Sequence, residues 1–194
     1  MQGCILLSLG HSSTVHGDKG SAYWLSIAIR LAKTADMHKC RDLKVLHPQK
    51  RLHKRIWQCL IIRDRLMSLG VRQALQIPPD HFRYDRPLVS MDDFSHELDQ
   101  SRVYSRKEKE DLAKLFISLC ELMVPLTEVI MLVYPQCEGV LCEDLENGLT
   151  ISNKIQQCRI LLSRWFEKAC ISRGKFLEGS VTVSAYAKTL DVFY

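Results

Sequence analysis

The sequence predicts an all-α protein, an irregular bundle of about five to seven helices. Three observations predict this fold. Apolar residues recur at steps of three and four through most of the chain. A Ser-x-x-Glu capping box stands at the start of one such segment. The segments are separated by loops containing proline, glycine or runs of charge, and alternating strand patterns do not dominate anywhere.

The densest apolar segment is residues 55–70, RIWQCLIIRDRLMSLG. Its apolar residues go most of the way round a helix, which is typical of a helix buried among other helices. We expect this helix to begin at residues 50–53 and to end near residue 74. Asp64 and Arg65 lie in its middle, where they form either a structural ion pair with neighbouring helices or a ligand site. We favour the ion pair, because an unpaired buried charge is strongly destabilising. The candidate partners on neighbouring segments are Arg30, Asp36 and Asp85.

Two helices are predicted before this segment. Residues 1–9 have the pattern of the last turns of a helix, and residues 10–21 form a loop rich in Gly and Ser. Ser21 is the candidate N-cap of a second helix that ends near Met37. Its expected core face is Trp24, Ala28, Leu31 and Ala35.

Prolines and acidic residues separate the first half of the chain from two further helices. Three prolines predict an extended crossing over residues 77–91, and residues 92–102 form an acidic connection. The capping box of Ser105 and Glu108 opens a helix that Pro125 should kink or divide. The last strong helix has its expected core face at Ile151, Ile155, Cys158, Leu162, Trp165 and Ala169.

The end of the chain has no clear pattern. In residues 176–194, the stretch VTVSAY is either a short strand or a final packed segment. We therefore predict one helical domain over residues 1–175, followed by a tail.

Composition narrows the class of protein. The chain has 194 residues, which suits one domain. Its formal charge of +5 is short of the footprint of a dedicated nucleic-acid-binding domain. The eight cysteines have no close pair at metal-ligand spacing, which favours a reducing, intracellular compartment. We find no signal peptide and no apolar run of the ~20 residues that a membrane span needs, and we predict no membrane association.

The basic stretch over residues 39–55 has three interpretations. It can contact phosphates, it can act as a nuclear import signal through KRLHKR at residues 50–55, or it can be a solvated loop and helix start. We favour the solvated loop, since no aromatic residue alternates with the charges to stack on single-stranded nucleic acid.

Metal sites and catalytic motifs receive little support. His38, Cys40, His47 and His53 are close in sequence, but their spacing matches no zinc motif. Asp92, Asp93 and Asp99 resemble an aspartate-rich magnesium motif, yet His96 stands where a further carboxylate is needed, so we favour an acidic, solvated loop here. A nucleophile elbow and a glycine-rich phosphate loop are both absent from the sequence. We therefore assign no catalytic, cofactor-binding or metal-binding residue, and we expect no enzyme activity.

Several short motifs occur in a characteristic order. They are AIRLAKTADMHK at 28–39, KRIW at 54–57, DR at 64–65, SL at 68–69, IP at 77–78 and DRPL at 85–88. Together they resemble the fungal-specific transcription factor domain, the middle homology region of fungal zinc-cluster regulators. The resemblance is strongest over residues 2–88. Gln58 stands where the family has a second tryptophan, and residues 70–73 depart from its Gly-Arg-Pro pattern.

The resemblance implies a nuclear regulatory domain that controls transcription through protein contacts or effector sensing. Family relatives carry zinc in a separate N-terminal module, and no cysteine pair here has the spacing of that module. We therefore expect a truncated or accessory relative with no cofactor of its own. The implied partners are other proteins, a second copy of the chain and a small-molecule effector, with DNA reached only through the absent module. A helical enzyme of unknown reaction and an inactive gene fragment are the alternatives.

The first prediction concerns DNA. Because the zinc-binding module of the family is missing from this sequence, we predict that the chain alone recognises no DNA sequence. A mobility-shift assay with promoter fragments at physiological salt measures this. Sequence-selective binding at nanomolar concentration would overturn the prediction.

Overall fold

A computed structural model describes residues 1–10, 20–39, 48–79, 89–100, 103–135, 148–177 and 180–190. Within these ranges the chain forms six α-helices and no β-strand, which confirms the predicted all-α fold. The helices are α1 (Gln2–Leu9), α2 (Ser21–Thr34), α3 (Pro48–Val71), α4 (Arg106–Val133), α5 (Gly148–Leu177) and α6 (Val181–Leu190). Two short 3₁₀ turns occupy Met37–Lys39 and Met91–Phe94.

The chain divides into two compact units. The first unit comprises Met1–Leu88 and Ile130–Gln136, and the second comprises Val89–Val129 and Cys137–Tyr194. Most of α4 therefore belongs to the second unit, and its last turn belongs to the first. The predicted boundary of a single helical domain at residue 175 stays a prediction.

In the first unit, α2 packs against both α1 and α3. Its buried face is Leu25, Ala28, Ile29 and Ala32. The predicted face was wrong by about one position, since Leu31 is exposed. The predicted N-cap was also wrong. Gly20 precedes the helix, whereas the Ser21 hydroxyl donates to the Gly10 carbonyl at 2.8 Å and links α2 to the end of α1.

The outer face of α1 is apolar and exposed. Leu6, Leu7 and Leu9 are each more than half exposed, while Ser8 is fully buried. An exposed apolar face favours association with other surfaces. Self-association of the chain nevertheless stays a prediction.

Helix α3 begins earlier and ends earlier than the sequence pattern predicted. Pro48 is its first residue, because a proline in the first turn lacks only an N–H that would have no helical partner there. The helix ends at Val71. Arg72 follows with a φ of 56°, in the left-handed region, and the Gln73 N–H donates to the Ser68 carbonyl at 3.0 Å. This is the Schellman type of helix end, in which glycine is the usual left-handed residue.

In the second unit, the predicted capping box of α4 is confirmed. The Ser105 N–H donates to Glu108 Oε2 at 2.8 Å, and the Glu108 N–H donates to Ser105 Oγ at 3.2 Å. Pro125 lies within α4 but does not divide it.

Helix α4 is long and apolar enough to cross a membrane by length and composition, and it is the one helix of the described ranges that passes this test. The expectation that the sequence has no apolar segment long enough for a membrane span was therefore wrong. In this structure α4 contacts α5 through one hydrogen bond and one ion pair. Trp165 Nε1 donates to the Ser118 carbonyl at 2.8 Å, and Lys168 pairs with Glu121 at 2.7 Å.

Helix α5 buries Cys158 and Trp165, which are 7% and 8% exposed. Ile155 was predicted to lie on this face but is half exposed. The stretch VTVSAY is helical and forms most of α6. Val183 and Ala187 of α6 pack against Leu115 of α4, so the second of the two predicted alternatives, a packed segment, is the observed one.

The acidic connection is less solvated than expected. Asp93 is 4% exposed, and its Oδ2 accepts the Ser90 N–H at 2.8 Å, which forms a second capping box at the Met91–Phe94 turn. Phe94 in turn meets Phe116 of α4 edge to face at 6.0 Å. Asp93 is therefore a structural cap, and the solvated-loop interpretation was wrong for this residue.

The helix end at Arg72 generates the second prediction. A side chain in the left-handed region costs about 1 kcal/mol relative to glycine, so Arg72→Gly should raise the free energy of unfolding by roughly that amount. Urea unfolding monitored by circular dichroism measures it. Arg72→Ala is the matched control, because it removes the same side chain but keeps a Cβ. Equal stability of the two variants would contradict this account of the helix end.

Candidate regulatory centre around the Asp64–Arg65 pair

Asp64 and Arg65 lie at the middle of α3 and are fully buried, at 1% and 0% exposure. Arg65 Nη1 donates to Asp64 Oδ2 at 2.8 Å. A buried pair of this kind is stable only if its remaining hydrogen-bonding capacity is also used. The prediction that these two charges are buried and paired is therefore confirmed.

Backbone amides supply further partners for the Asp64 carboxylate. Its Oδ1 accepts the Gln76 N–H at 3.0 Å, and its Oδ2 also accepts the Ile77 N–H at 3.1 Å. Ile77 is itself fully buried. The carboxylate thus fixes the chain that leaves α3 against the middle of the same helix.

Opposing effects act on the ionisation of Asp64. Burial raises the pKa of this carboxyl, while the Arg65 guanidinium and the backbone N–H groups of Gln76 and Ile77 act to lower it. Burial is the largest of these effects. Both oxygens already accept protein donors, so the carboxylate is a structural group and is poorly placed to take a proton from a substrate.

The described partners of Asp64 differ in kind from those expected on neighbouring segments. Asp64 bonds to the adjacent residue and to backbone that follows the helix, while the expectation for Asp85 stays a prediction. Arg30 is exposed on α2, and Asp36 forms a surface pair with Lys39 at 2.8 Å. Asp85 lies outside the described residues. Adjacent residues do not normally face each other on a helix, which is why the sequence pattern gave no signal for this pair.

Arg63, which sequence reasoning did not single out, ties α1 to α3. Its Nε donates to Ser8 Oγ at 3.3 Å, and its Nη2 donates to the Ser8 carbonyl at the end of α1. A cation at a helix C-terminus satisfies carbonyls that lack helical partners and complements the helix dipole. Burial lowers the pKa of Arg63 from its usual value. The consecutive residues Arg63, Asp64 and Arg65 of α3 thus make three kinds of contact. Arg63 bonds to the end of α1, Asp64 and Arg65 bond to each other, and Asp64 bonds to the chain that follows α3.

The candidate metal ligands are not brought together in the part of the chain that the structure describes. His38 contacts the ring of the buried Trp57, with ring centroids 5.8 Å apart. Cys40 and His47 lie outside the described residues. Among the described residues no three His, Cys, Asp or Glu side chains form a group that could hold a metal ion.

The basic segment KRLHKR is part of the helix. It lies in the first turns of α3, where Lys50 is exposed while Arg51, Lys54 and Arg55 are half-buried. Its proposed roles in phosphate contact and nuclear import stay predictions. The part of this stretch over residues 40–47 lies outside the described residues.

Gln58 marks the main departure from the family pattern. Its side chain is 2% exposed, and its Oε1 has no hydrogen-bond partner among the described residues. A buried acceptor without a donor costs about 1–3 kcal/mol. At this position a buried carboxamide stands where the pattern that the sequence resembles has an aromatic ring.

Comparison with known proteins identifies relatives. The chain is 34% identical over 95 residues to cutinase transcription factor 1 beta of Fusarium vanettenii, and this match covers 48% of the chain and 10% of that protein. It is 33% identical over 103 residues to a transcription factor of Fusarium pseudograminearum, covering 50% of the chain and 11% of that protein. It is 28% identical over 107 residues to transcription factor cpaR of Aspergillus oryzae, and this match covers 54% of the chain and 17% of that protein.

About half of the chain is similar to fungal transcription factors. The resemblance predicted from the short motifs is thus confirmed over about half of the chain. The matches span between a tenth and a sixth of the length of these relatives. No family model and no solved structure matches the chain.

The third prediction tests the buried pair. Asp64→Ala should lower the free energy of unfolding by about 3–5 kcal/mol, because it leaves Arg65 as a buried charge and removes the acceptor of two amides. Asp99→Ala is the matched control, since Asp99 pairs with Arg106 on an exposed surface and its loss should leave stability nearly unchanged. Urea unfolding of the two variants gives the comparison. A similar small effect of both changes would contradict the assignment.

Proposed function

We propose that this chain is a regulatory domain that controls transcription through contacts with other proteins. The observation that carries the proposal is the similarity of about half of the chain to three fungal transcription factors. Because the matches cover only a small part of each relative, the proposal concerns a regulatory role and not the targets of any relative.

The geometry of α3 supports a scaffold without chemistry of its own. Arg63, Asp64 and Arg65 are charges that α3 places beside its core, and Arg63 and Asp64 make hydrogen bonds to protein groups that hold the first unit together. A catalytic carboxylate or cation needs instead to face a substrate. We propose on this basis, and from the relatives, that the chain catalyses no reaction and needs no cofactor.

The distribution of charge supports macromolecular partners for the first unit. That unit contains 15 Lys and Arg against 6 Asp and Glu, a formal charge of +9. The second unit contains 12 against 16, a formal charge of −4. Such an asymmetry favours acidic surfaces as partners of the first unit, and charge of this kind acts mainly on association rate and non-specific binding.

A nuclear location is proposed from the same relatives. In that setting, DNA would be reached through a DNA-binding module elsewhere in an assembly, and the helical units would supply contacts to coregulators or to a small effector. A second copy of the chain is a further candidate partner, since α1 exposes three leucines.

The fourth prediction is a transcriptional effect when the chain is brought to a promoter. We expect a fusion of the whole chain to an unrelated DNA-binding domain to change expression of a reporter severalfold in a fungal host. The Asp64→Ala variant should lose the effect because the first unit is destabilised, and Asp99→Ala should retain it. Reporter activity and fusion-protein level are measured together.

Three outcomes would contradict the proposal. An unchanged reporter, with the intact fusion present at normal level and folded, would favour an inactive fragment. A loss of effect in both variants alike would show that the reporter does not depend on the structure of the first unit. Turnover of a small molecule by the purified, folded chain would favour the helical enzyme instead.

A further inference from the structure

Helices α1 and α3 each have a cysteine one turn before the point where they are joined. Ser8 of α1 accepts from Arg63 of α3, through its hydroxyl at 3.3 Å and through its carbonyl. Cys4 precedes Ser8 by four residues, and Cys59 precedes Arg63 by four residues. Because residues four apart lie on the same face of a helix, each cysteine shares a face with one member of the joined pair.

Helices α1 and α3 run in the same direction. A hydrogen bond joins the start of α2 to the residue directly after α1, and the two helices pack together, so α2 is antiparallel to α1. Helix α2 is also antiparallel to α3. His38, beyond the end of α2, contacts the ring of Trp57 in the first half of α3, whereas Ser26, near the start of α2, donates to Gln76 beyond the end of α3 at 2.7 Å. Two reversals leave α1 parallel to α3.

In two parallel helices, one turn back along each helix moves the same distance, about 5.4 Å, in the same direction. The step from Ser8 and Arg63 therefore leads to Cys4 and Cys59 at a common level. Helices α1 and α3 are in contact, and both thiols are free and half-buried. Helix axes that pack about 8–10 Å apart bring facing Cα atoms within the roughly 7 Å that a disulfide requires.

We infer that Cys4 and Cys59 face each other across the contact between α1 and α3, and that a peroxide closes them to a disulfide. The bond would join α1 covalently to α3 and would close a loop that contains all of α2. Disulfides of reducing compartments are mostly transient and redox-sensing, so the pair is a redox-dependent clamp on α1. The inference does not rest on the proposed role in transcription.

The reaction starts at Cys4. Burial raises the pKa of the Cys59 thiol, while the Arg55 guanidinium acts to lower it, so Cys59 is a poor first nucleophile. The Cys4 thiolate attacks one peroxide oxygen, the O–O bond breaks, and the hydroxide that leaves takes a proton to become water. Cys59 sulfur then attacks the sulfur of the Cys4 sulfenic acid, the S–O bond breaks, and a second water leaves with the Cys59 proton. The two sulfurs lose two electrons and the peroxide gains them.

The test is limited oxidation of the reduced full chain with hydrogen peroxide, followed by alkylation, digestion and mass spectrometry. We expect a cross-linked peptide pair that contains Cys4 and Cys59, with a mass about 2 Da below that of the two thiol peptides, and we expect dithiothreitol to reverse it. Dibromobimane, which bridges neighbouring thiols, should link the same two residues without any oxidant.

Variants separate a positioned pair from general thiol reactivity. Cys59→Ser should abolish the intramolecular link and leave a sulfenic acid at Cys4, and Cys4→Ser should abolish the link as well. Cys170→Ser removes a half-buried thiol of the second unit and is the matched control, which should leave the link unchanged. Arg63→Ala should slow its formation severalfold, because Arg63 holds the end of α1 beside α3.

Three results would overturn the inference. The first is a failure of both reagents to link Cys4 to Cys59 while circular dichroism shows the fold intact. The second is a link from Cys4 to another cysteine of the chain with equal yield, since the fold would then select no partner. The third is a link between Cys4 and Cys59 that forms only between two copies, which a non-reducing gel at low protein concentration shows.

Discussion

The first unit depends on one buried carboxylate that accepts hydrogen bonds from three groups at once. Asp64 accepts from Arg65 beside it and from the N–H groups of Gln76 and Ile77, and it sits one residue after the arginine that holds α1. Taking two charges out of water is costly, and the cost is offset only where hydrogen bonds satisfy them closely. Because the bonds of Asp64 fix the path of the chain after α3, the charge specifies where that segment lies as well as adding stability.

The two units are built on different physical principles. In the first, charged side chains of α3 reach backbone groups at the ends of neighbouring segments, so polar geometry selects the arrangement. In the second, α4 contacts α5 through the indole of Trp165 and the exposed Lys168–Glu121 pair, and α6 packs on Leu115 of α4.

The sequence was sufficient to predict the fold class, but it was insufficient to predict the contacts between segments and the ends of the helices. Periodic apolar residues identified the strong helices, and the Ser-x-x-Glu spacing identified the capping box of Ser105. Both signals are local in the sequence. The pairing of Asp64 with its neighbour, the tie from Arg63 to Ser8 and the burial of Asp93 depend on contacts that no local spacing encodes. The end of α3 was placed three residues late, because a left-handed arginine gives no glycine signal. For the candidate centre, the sequence located the charged residues but not their partners.

The most direct test of this account is a double-mutant cycle on the buried pair, built from Asp64→Ala, Arg65→Ala and the double variant and followed by urea unfolding. If the two charges stabilise the first unit through each other, the double variant loses at least about 1 kcal/mol less than the two single losses added together. Single losses that add within about 0.5 kcal/mol would show that the charges do not act together. The central role assigned to this pair would then be wrong.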